Sequence, residues 1–202
     1  MIGIIDYGAG NINSVIRMVE HIGGMAVRIS SPDQVDTKVK KLILPGVGAF
    51  DNAINRLEEG KWISAISNAV LINRIPILGI CLGMQLFCKS SDEGNTKGLG
   101  WIDATVHRFP ESLIFKVPHM GWNTLALRNS GSIIDESEEK SRFYFVHSYY
   151  VRCNNLNDIL ATSSHGVDFV AAFNKDNIYG VQFHPEKSHR YGMALIAKFI
   201  NI

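Results

Sequence analysis

Ile75-Pro76-Ile77-Leu78-Gly79-Ile80-Cys81-Leu82-Gly83-Met84-Gln85 is the stretch that decides how this chain folds. A short, unbroken apolar run passes into Gly-x-Cys-x-Gly and then into residues compatible with a helix. Continuous apolar runs of this length are what strands buried on both faces look like. A Gly-x-nucleophile-x-Gly turn between such a strand and a helix is the pattern of a nucleophile elbow. Its glycines permit the tight turn and let neighbouring backbone come close. Cys81 then stands at a helix N-terminus, where free N–H groups and the dipole favour a thiolate. The N–H of Leu82 points toward an oxyanion formed on a substrate. A lone structural cysteine carries the same local signature, and the elbow alone does not separate the two.

Working outward, the N-terminal half repeats the rhythm of strand and helix. Residues 2–6 form an apolar run ending at Tyr7-Gly8-Ala9-Gly10. Asn11 is then placed to cap a helix with Val15, Ile16, Val19 and Ile22 on one stripe, stopped by Gly23-Gly24. Residues 25–30 and 42–44 read as the next strands, the latter broken by Pro45-Gly46, and a helical region carries Trp62, Ile63, Ile66 and Val70. Buried strands separated by helices predict an α/β fold with a mostly parallel central sheet covered by helices. From about Leu99 the rhythm changes. Residues 143–151, 159–162, 169–173 and 178–183 are strand candidates with short connections, as expected of antiparallel additions to the core. A last helix, about 191–200, brings Leu195, Ile196, Phe199 and Ile200 together. The acidic stretch 135–142 reads as a solvated loop.

Length and charge narrow the function. The chain has 202 residues, 46% hydrophobic, a size that predicts one domain spanning residues 1–202. Twenty basic against 19 acidic side chains leave no electrostatic footprint for nucleic acid. Cys81, Cys88 and Cys153 are too few for a disulfide framework or a zinc ribbon, and Cys88 and Cys153 read as structural. The first six residues lack the basic segment of a signal peptide, and no run approaches the ~18 apolar residues of a membrane span. The expectation is a reduced, cytoplasmic protein that binds neither nucleic acid nor membrane.

A cysteine nucleophile needs a base and a group that orients it. Phe183-His184-Pro185-Glu186 supplies both. Pro185 biases His184 toward extended backbone, in which residues two apart share a face, so Glu186 reaches the imidazole. Standing alone, the segment also reads as a strand end with surface polar residues. His-x-Glu with His189 nearby opens a zinc deaminase signature, but the required Pro-Cys-x-x-Cys is missing, so no metal is expected. Pro45-Gly46-Val47-Gly48-Ala49-Phe50 follows a strand at the sheet's carboxyl edge, where its N–H groups can complete an oxyanion hole; a plain tight turn has the same pattern. Gly8-x-Gly10 lacks the third glycine of a nucleotide loop. His119-Met120-Gly121-Trp122-Asn123 and the aromatic segment 143–150 fit either core or a docking surface, with Phe145 in the core.

Taken together, these segments resemble the class I, triad-type glutamine amidotransferases, and among them the glutaminase subunits of imidazole glycerol phosphate synthases. The likeness runs through residues 6–11, 45–50, 79–85, 118–123, 143–149 and 180–188, nearly the whole chain. It implies a flavodoxin-like three-layer fold. It implies Cys81 as nucleophile, His184 as base and Glu186 as orienting acid. Val47, Gly48 and Leu82 match oxyanion positions, and Gln85, His147, Ser148 and Tyr149 match glutamine-binding positions. Met120, Trp122, Tyr144 and Lys187 match positions at a partner interface. No cofactor is implied. The implied partner is a (β/α)8 cyclase subunit forming a heterodimer, which uses the ammonia in histidine biosynthesis. The ending Ser188-His189-Arg190-Tyr191-Gly192 and the 135–140 loop resemble a paralogous group that supplies ammonia for amidination of a surface-polysaccharide sugar. A stand-alone cysteine hydrolase and a non-catalytic binding protein are the remaining classes.

Overall fold

The apolar runs of the first half lie side by side as β1 (Ile2–Ile5), β2 (Ala26–Ile29), β3 (Lys41–Gly46) and β4 (Ile77–Cys81), all parallel. The computed structural model describes residues 1–35, 39–111, 115–136 and 141–202. Between the strands run α1 (Ile12–His21), α2 (Phe50–Glu59) and α3 (Trp62–Ser67), the last continued by a π-helical turn, Asn68–Ile72. After β4 comes α4 (Leu82–Leu86), then β5 (Ala104–Arg108), β6 (His119–Thr124), β7 (Ala126–Leu127), β8 (Arg142–His147) and β9 (Tyr149–Cys153). The chain closes with β10 (Ile159–His165), β11 (Val167–Lys175), β12 (Ile178–Val181) and α5 (His189–Asn201). Among the described residues no helix is long and apolar enough to cross a membrane.

The main sheet has ten strands in the order β2-β1-β3-β4-β12-β11-β10-β7, with β9 on β11 and β5 on β9. Its parallel half, β2-β1-β3-β4-β12, follows the doubly wound flavodoxin order. Side chains alternate between two cores, as the strand period requires. Leu42, Leu44 and Ile77 face Phe50, Ile54, Leu57, Trp62 and Ile66. Ile43, Leu78 and Ile80 face Ile12, Val15, Val19, Leu195 and Phe199. So α2 and α3 cover one face, and α1 and α5 the other. That is why the strands read as unbroken apolar runs.

Several expectations need correction. Asn11 is the residue before α1, but its side chain makes no capping hydrogen bond. β3 runs on through Pro45 and Gly46, in register with Ile80 and Cys81 of β4. Pairing with β1 ends at Ile43, so the missing proline N–H breaks no ladder on that side. The run 143–151 is two strands: β8 pairs only with β6 in a separate ribbon, and β9 joins the main sheet. They part at Ser148, whose carbonyl accepts from the Phe109 N–H (3.1 Å). β12 is parallel to β4 and antiparallel only to β11, so the seam between the two halves lies along it. Of the stretch 135–142, residues 137–140 lie outside the described residues; Asp135 pairs with Lys198 (2.9 Å), and Arg142 starts β8.

The elbow glycines are required by space. A Cβ on Gly83 would stand 1.9 Å from the Leu44 carbonyl oxygen of β3, and one on Gly79 would stand 2.7 Å from the backbone of Gly83 and Met84. Gly23, by contrast, has open space around it and a φ of +83°. Gly83→Ala should therefore destabilise by about 3 kcal/mol or more, because backbone must move. Gly23→Ala should cost only about 1–2 kcal/mol of left-handed strain. Denaturant unfolding of both variants checks this; equal losses would contradict it.

Candidate active site

Cys81 ends β4 with φ 54° and ψ −110°, a conformation costly for a residue with a Cβ, by roughly 1–3 kcal/mol. The turn lifts the thiol off the sheet edge while the chain enters α4. With five residues, α4 offers free N-terminal amides more than a developed macrodipole, so the Leu82 N–H matters more here than helix length. Sγ lies 3.9 Å from the Val146 carbonyl oxygen and 3.7 Å from Nε2 of Gln182.

His184 follows β12 on extended backbone (φ −102°, ψ 97°) and is buried at 2% exposure. Its Nδ1 meets Oε1 of Glu186 at 2.8 Å. The contact expected from strand geometry exists, but a 3-10 turn over Pro185–Lys187 makes it, bringing Glu186 back under the ring. Ser188 braces the turn. Its hydroxyl donates to the His184 carbonyl (2.6 Å) and accepts from the Tyr144 N–H (3.0 Å), while the His184 N–H donates to the Tyr144 carbonyl (2.9 Å). Nε2 of His184 is buried and forms no hydrogen bond of normal geometry. Burial works against a charged ring, yet interaction with Cys81 and then Glu186 outweighs it and raises the pKa to about 10. At neutral pH the ring holds its proton.

A cavity of about 370 Å³ opens over Cys81, large enough for a small ligand. Its lining brings together Val47, Gly48, Cys81, Leu82, Gln85, His147, Ser148, Tyr149, His184 and Lys187 from the sequence expectations. Glu186 stands behind His184, outside the lining. Met120, Trp122 and Tyr144 lie outside it too, on the β6–β8 ribbon, where Trp122 pairs with Tyr144 across the strands. Met120 is 62% exposed and Trp122 45%, and the Lys187 ammonium sits over the Tyr144 ring. His189 stacks on Trp122, with its ring 5.5 Å away. Phe145 is fully buried. Cys88 is fully buried and its thiol pushed well up by burial; Cys153 is pushed up to about 12, mainly by burial. Neither reaches the cavity.

The segment Val47-Gly48 is flanked by space on both sides. A second cavity of about 340 Å³, bordered by Gly8, Gly10, Asn52 and Arg56, shares Val47 and Gly48 with the first. Gly48 has φ +103°, and a Cβ there would meet nothing within 4 Å. Such backbone has room for more than one orientation.

Sequence reasoning missed three features. Glu93 is the carboxylate of the cavity lining and accepts from the Phe50 N–H (2.9 Å) at the start of α2. It comes from an irregular loop with no periodicity or motif to mark it. Gln182, fully buried, stood unassigned within a recognised segment. The third is a line of imidazoles leading away from the cavity. His147 Nδ1 donates to the Tyr149 carbonyl (2.8 Å), His119 Nδ1 meets His147 Nε2 (3.0 Å), and Asn123 Nδ2 meets His119 Nε2 (3.2 Å). The Tyr149 carbonyl only accepts, and the Asn123 NH₂, fixed as a donor by the Ser164 carbonyl (2.9 Å), points at His119 Nε2, so each ring is neutral and donates from Nδ1. Burial lowers the pKa of His147 to about 3 and of His119 to about 4, with neighbouring imidazoles adding to it. Among the described residues, no group of three or more His, Cys, Asp or Glu is placed to hold a metal ion.

Comparison with known proteins places this geometry. The family model for glutamine amidotransferase class-I matches residues 3–202. The chain belongs to the class I glutamine amidotransferase family. This amidotransferase is 49% identical over 200 residues to "Imidazole glycerol phosphate synthase subunit HisH 2" of Methanococcus maripaludis, covering 99% of this chain and 98% of that one. It is 44% identical to the protein of the same name from Pseudomonas aeruginosa, and each chain is covered in full. A Campylobacter jejuni relative, "Imidazole glycerol phosphate synthase subunit HisH 1", is 45% identical, again over both full lengths. Among solved structures, PurLQS from Thermotoga maritima superposes with a TM-score of 0.79 at 16% identity, over 99% of this amidotransferase and 97% of that chain. The glutaminase domain of Trypanosoma brucei CTPS with bound acivicin gives 0.64 at 18%, over 99% and 93%. At such identities the structures attest the fold, which is the three-layer amidotransferase fold expected.

The shifted histidines set the pH dependence of stability. His119 and His147 bind protons less readily folded than unfolded, so stability falls as pH drops from about 6.5 toward 4. His184 holds its proton more tightly when folded; its contribution is complete below about 6.5 and lost as pH rises toward 10. Melting curves across pH should show both limbs. His119→Gln should flatten the acid limb and His184→Gln the alkaline one; unchanged limbs would contradict these assignments.

Proposed function

We propose that this amidotransferase is the glutaminase subunit of an imidazole glycerol phosphate synthase, and that Cys81, His184 and Glu186 release ammonia from glutamine for a synthase subunit. The observation that carries the reading is the convergence of elbow thiol, buried imidazole and carboxylate on one cavity, in a chain whose full-length relatives bear that subunit name. Those relatives favour this reaction, in histidine biosynthesis, over sugar amidination.

The chemistry follows from the proton on His184. The Cys81 sulfur, with His184 holding the proton of the pair, attacks the side-chain amide carbon of glutamine. The N–H of Leu82, with one from the Val47-Gly48 segment, receives the oxyanion. His184 passes its proton to the departing nitrogen, ammonia leaves, and a γ-glutamyl thioester stays on Cys81. The ring, now neutral, takes a proton from water, whose oxygen attacks the thioester to give glutamate and restore the thiolate. Glu186 holds Nδ1–H and balances the imidazolium charge throughout. Glu93 is the carboxylate available to the substrate's α-ammonium, while Gln85 and residues 147–149 hold its other polar groups. No step calls for a cofactor.

Ammonia in neutral water is mostly protonated and a poor nucleophile, so it must pass directly to an acceptor enzyme. The exposed Met120, Trp122 and Val47, with Lys187 and Tyr144 between them, give an apolar patch with one cation beside the cavity, the kind of surface a partner covers. We take the partner to be a (β/α)8 cyclase subunit in a heterodimer, and the reducing cytoplasm as the setting in which the three thiols stay free.

Cys81→Ala should lower glutamine hydrolysis by about a thousandfold or more, with Cys88→Ala near wild type. Glu186→Gln should cost less turnover than His184→Ala, with little change in KM, because it acts through orientation. Steady-state kinetics decide this; a Cys81→Ala enzyme with wild-type turnover would end the assignment. The isolated chain should hydrolyse glutamine slowly and gain rate when a synthase subunit with its acceptor bound is added, since Val47-Gly48 has room to leave the donating orientation. Full activity without a partner would contradict that coupling.

A further inference from the structure

Gln182 has no role in the mechanism above, yet it is fully buried and its side chain touches the reacting sulfur. It continues β12, its N–H bonded to the Ala171 carbonyl (2.9 Å), and two residues later comes His184. The Gln182 side chain turns to Cys81, its Nε2 3.7 Å from Sγ, while Val181 and Phe183 join the apolar core.

The direction of its amide is settled by neighbours. A backbone carbonyl only accepts, so the Gln85 atom 3.0 Å from the Tyr149 oxygen is its NH₂ group. The same NH₂ lies 2.9 Å from the Gln182 amide, which must turn its oxygen there. Its own NH₂ is then left for Sγ of Cys81, at 3.7 Å. Donation thus diverges from the Gln85 NH₂, which serves both the Tyr149 carbonyl and the Gln182 oxygen, and the Gln182 NH₂ donates onward to the sulfur. Sγ also lies 3.9 Å from the Val146 carbonyl, which welcomes a thiol S–H and repels a thiolate. The N–H donor of Gln182 tips the balance toward the charged sulfur. We propose that Gln182 is a positioning residue for the nucleophile. It holds Sγ in line with His184 and supports its negative charge, in an orientation dictated by Gln85 and Tyr149 of the glutamine cavity. The inference rests on Cys81 being the reacting thiol.

The test is the rate at which iodoacetamide alkylates Cys81 in the full chain, followed on the Cys81 peptide by mass spectrometry across pH, alongside glutaminase kinetics. Gln182→Glu keeps an oxygen for the Gln85 NH₂ but offers no N–H to the sulfur. Its alkylation at neutral pH should fall about tenfold, the rise with pH should move to more alkaline values, and kcat should drop while KM changes less than about threefold. Gln182→Met, which also deprives Gln85 of its acceptor, should lower alkylation similarly and raise KM as well. If Gln182→Glu does not fold, Gln182→Asn, whose amide is drawn back by one methylene, should show the same loss. A purely structural role would lower the melting temperature or raise KM and leave the alkylation curve in place, and that outcome overturns the proposal. An unreactive Cys81 in the wild type would instead overturn the assignment of the nucleophile itself.

Discussion

The packing of Gly83 against the Leu44 carbonyl is the constraint on which the site depends. β3 and β4 are in register up to Gly46 and Cys81, and the chain can leave β4 into α4 only by crossing over the end of β3. With 1.9 Å between that carbonyl and a Cβ on residue 83, glycine is required. Gly79 and Gly46 are pressed in the same way by the backbone of α4. Cys81, at the centre of the turn, takes the positive φ that results. The strain sets one thiol against the cavity at the carboxyl edge of the parallel sheet, where α/β folds place ligands. Two apolar cores on either side of the sheet hold the turn fixed.

Around that thiol the polar groups are arranged by burial more than by surface charge. His184 and Glu186 are both sequestered, so charges there are little screened, and interaction with Cys81 and then Glu186 keeps on the ring a proton that burial alone would remove. His119 and His147 show the opposite outcome. Lacking a carboxylate, they stay neutral and act as directional links in a hydrogen-bonded line. One residue type is thus charged beside Cys81 and uncharged a short way off. His119 and His147 sit on the inner face of the β6–β8 ribbon, whose outer face carries Met120 and Trp122.

What the sequence disclosed follows from the range of the forces involved. The elbow, the parallel strands and the His184–Glu186 pair depend on neighbours within a few residues, and each was legible in the order of residues. The split of the run 143–151 was not, because its apolar and aromatic residues are interrupted only by His147 and Ser148, with no turn residue to mark a break. Only the sheets they join, far away in sequence, set them apart. The capping by Asn11 was a local inference defeated by local geometry, since its backbone departs from capping conformation. Glu93 and Gln182 were missed because a single polar residue in a loop, or inside a strand motif, has no periodicity to betray it. Their meaning comes from contacts with Phe50, Gln85 and Cys81 across the fold.

The central claim is that the strained turn makes Cys81 the atom that takes the glutamyl group. Rapid acid quenching of the chain with glutamine, in complex with a synthase subunit, followed by peptide mass spectrometry, tests it most directly. The account predicts a γ-glutamyl thioester confined to the peptide bearing Cys81. It should be absent in Cys81→Ala and unaltered in Cys88→Ala. A thioester on Cys88 or Cys153, or steady hydrolysis by the Cys81→Ala chain with no acyl-enzyme at all, would contradict it.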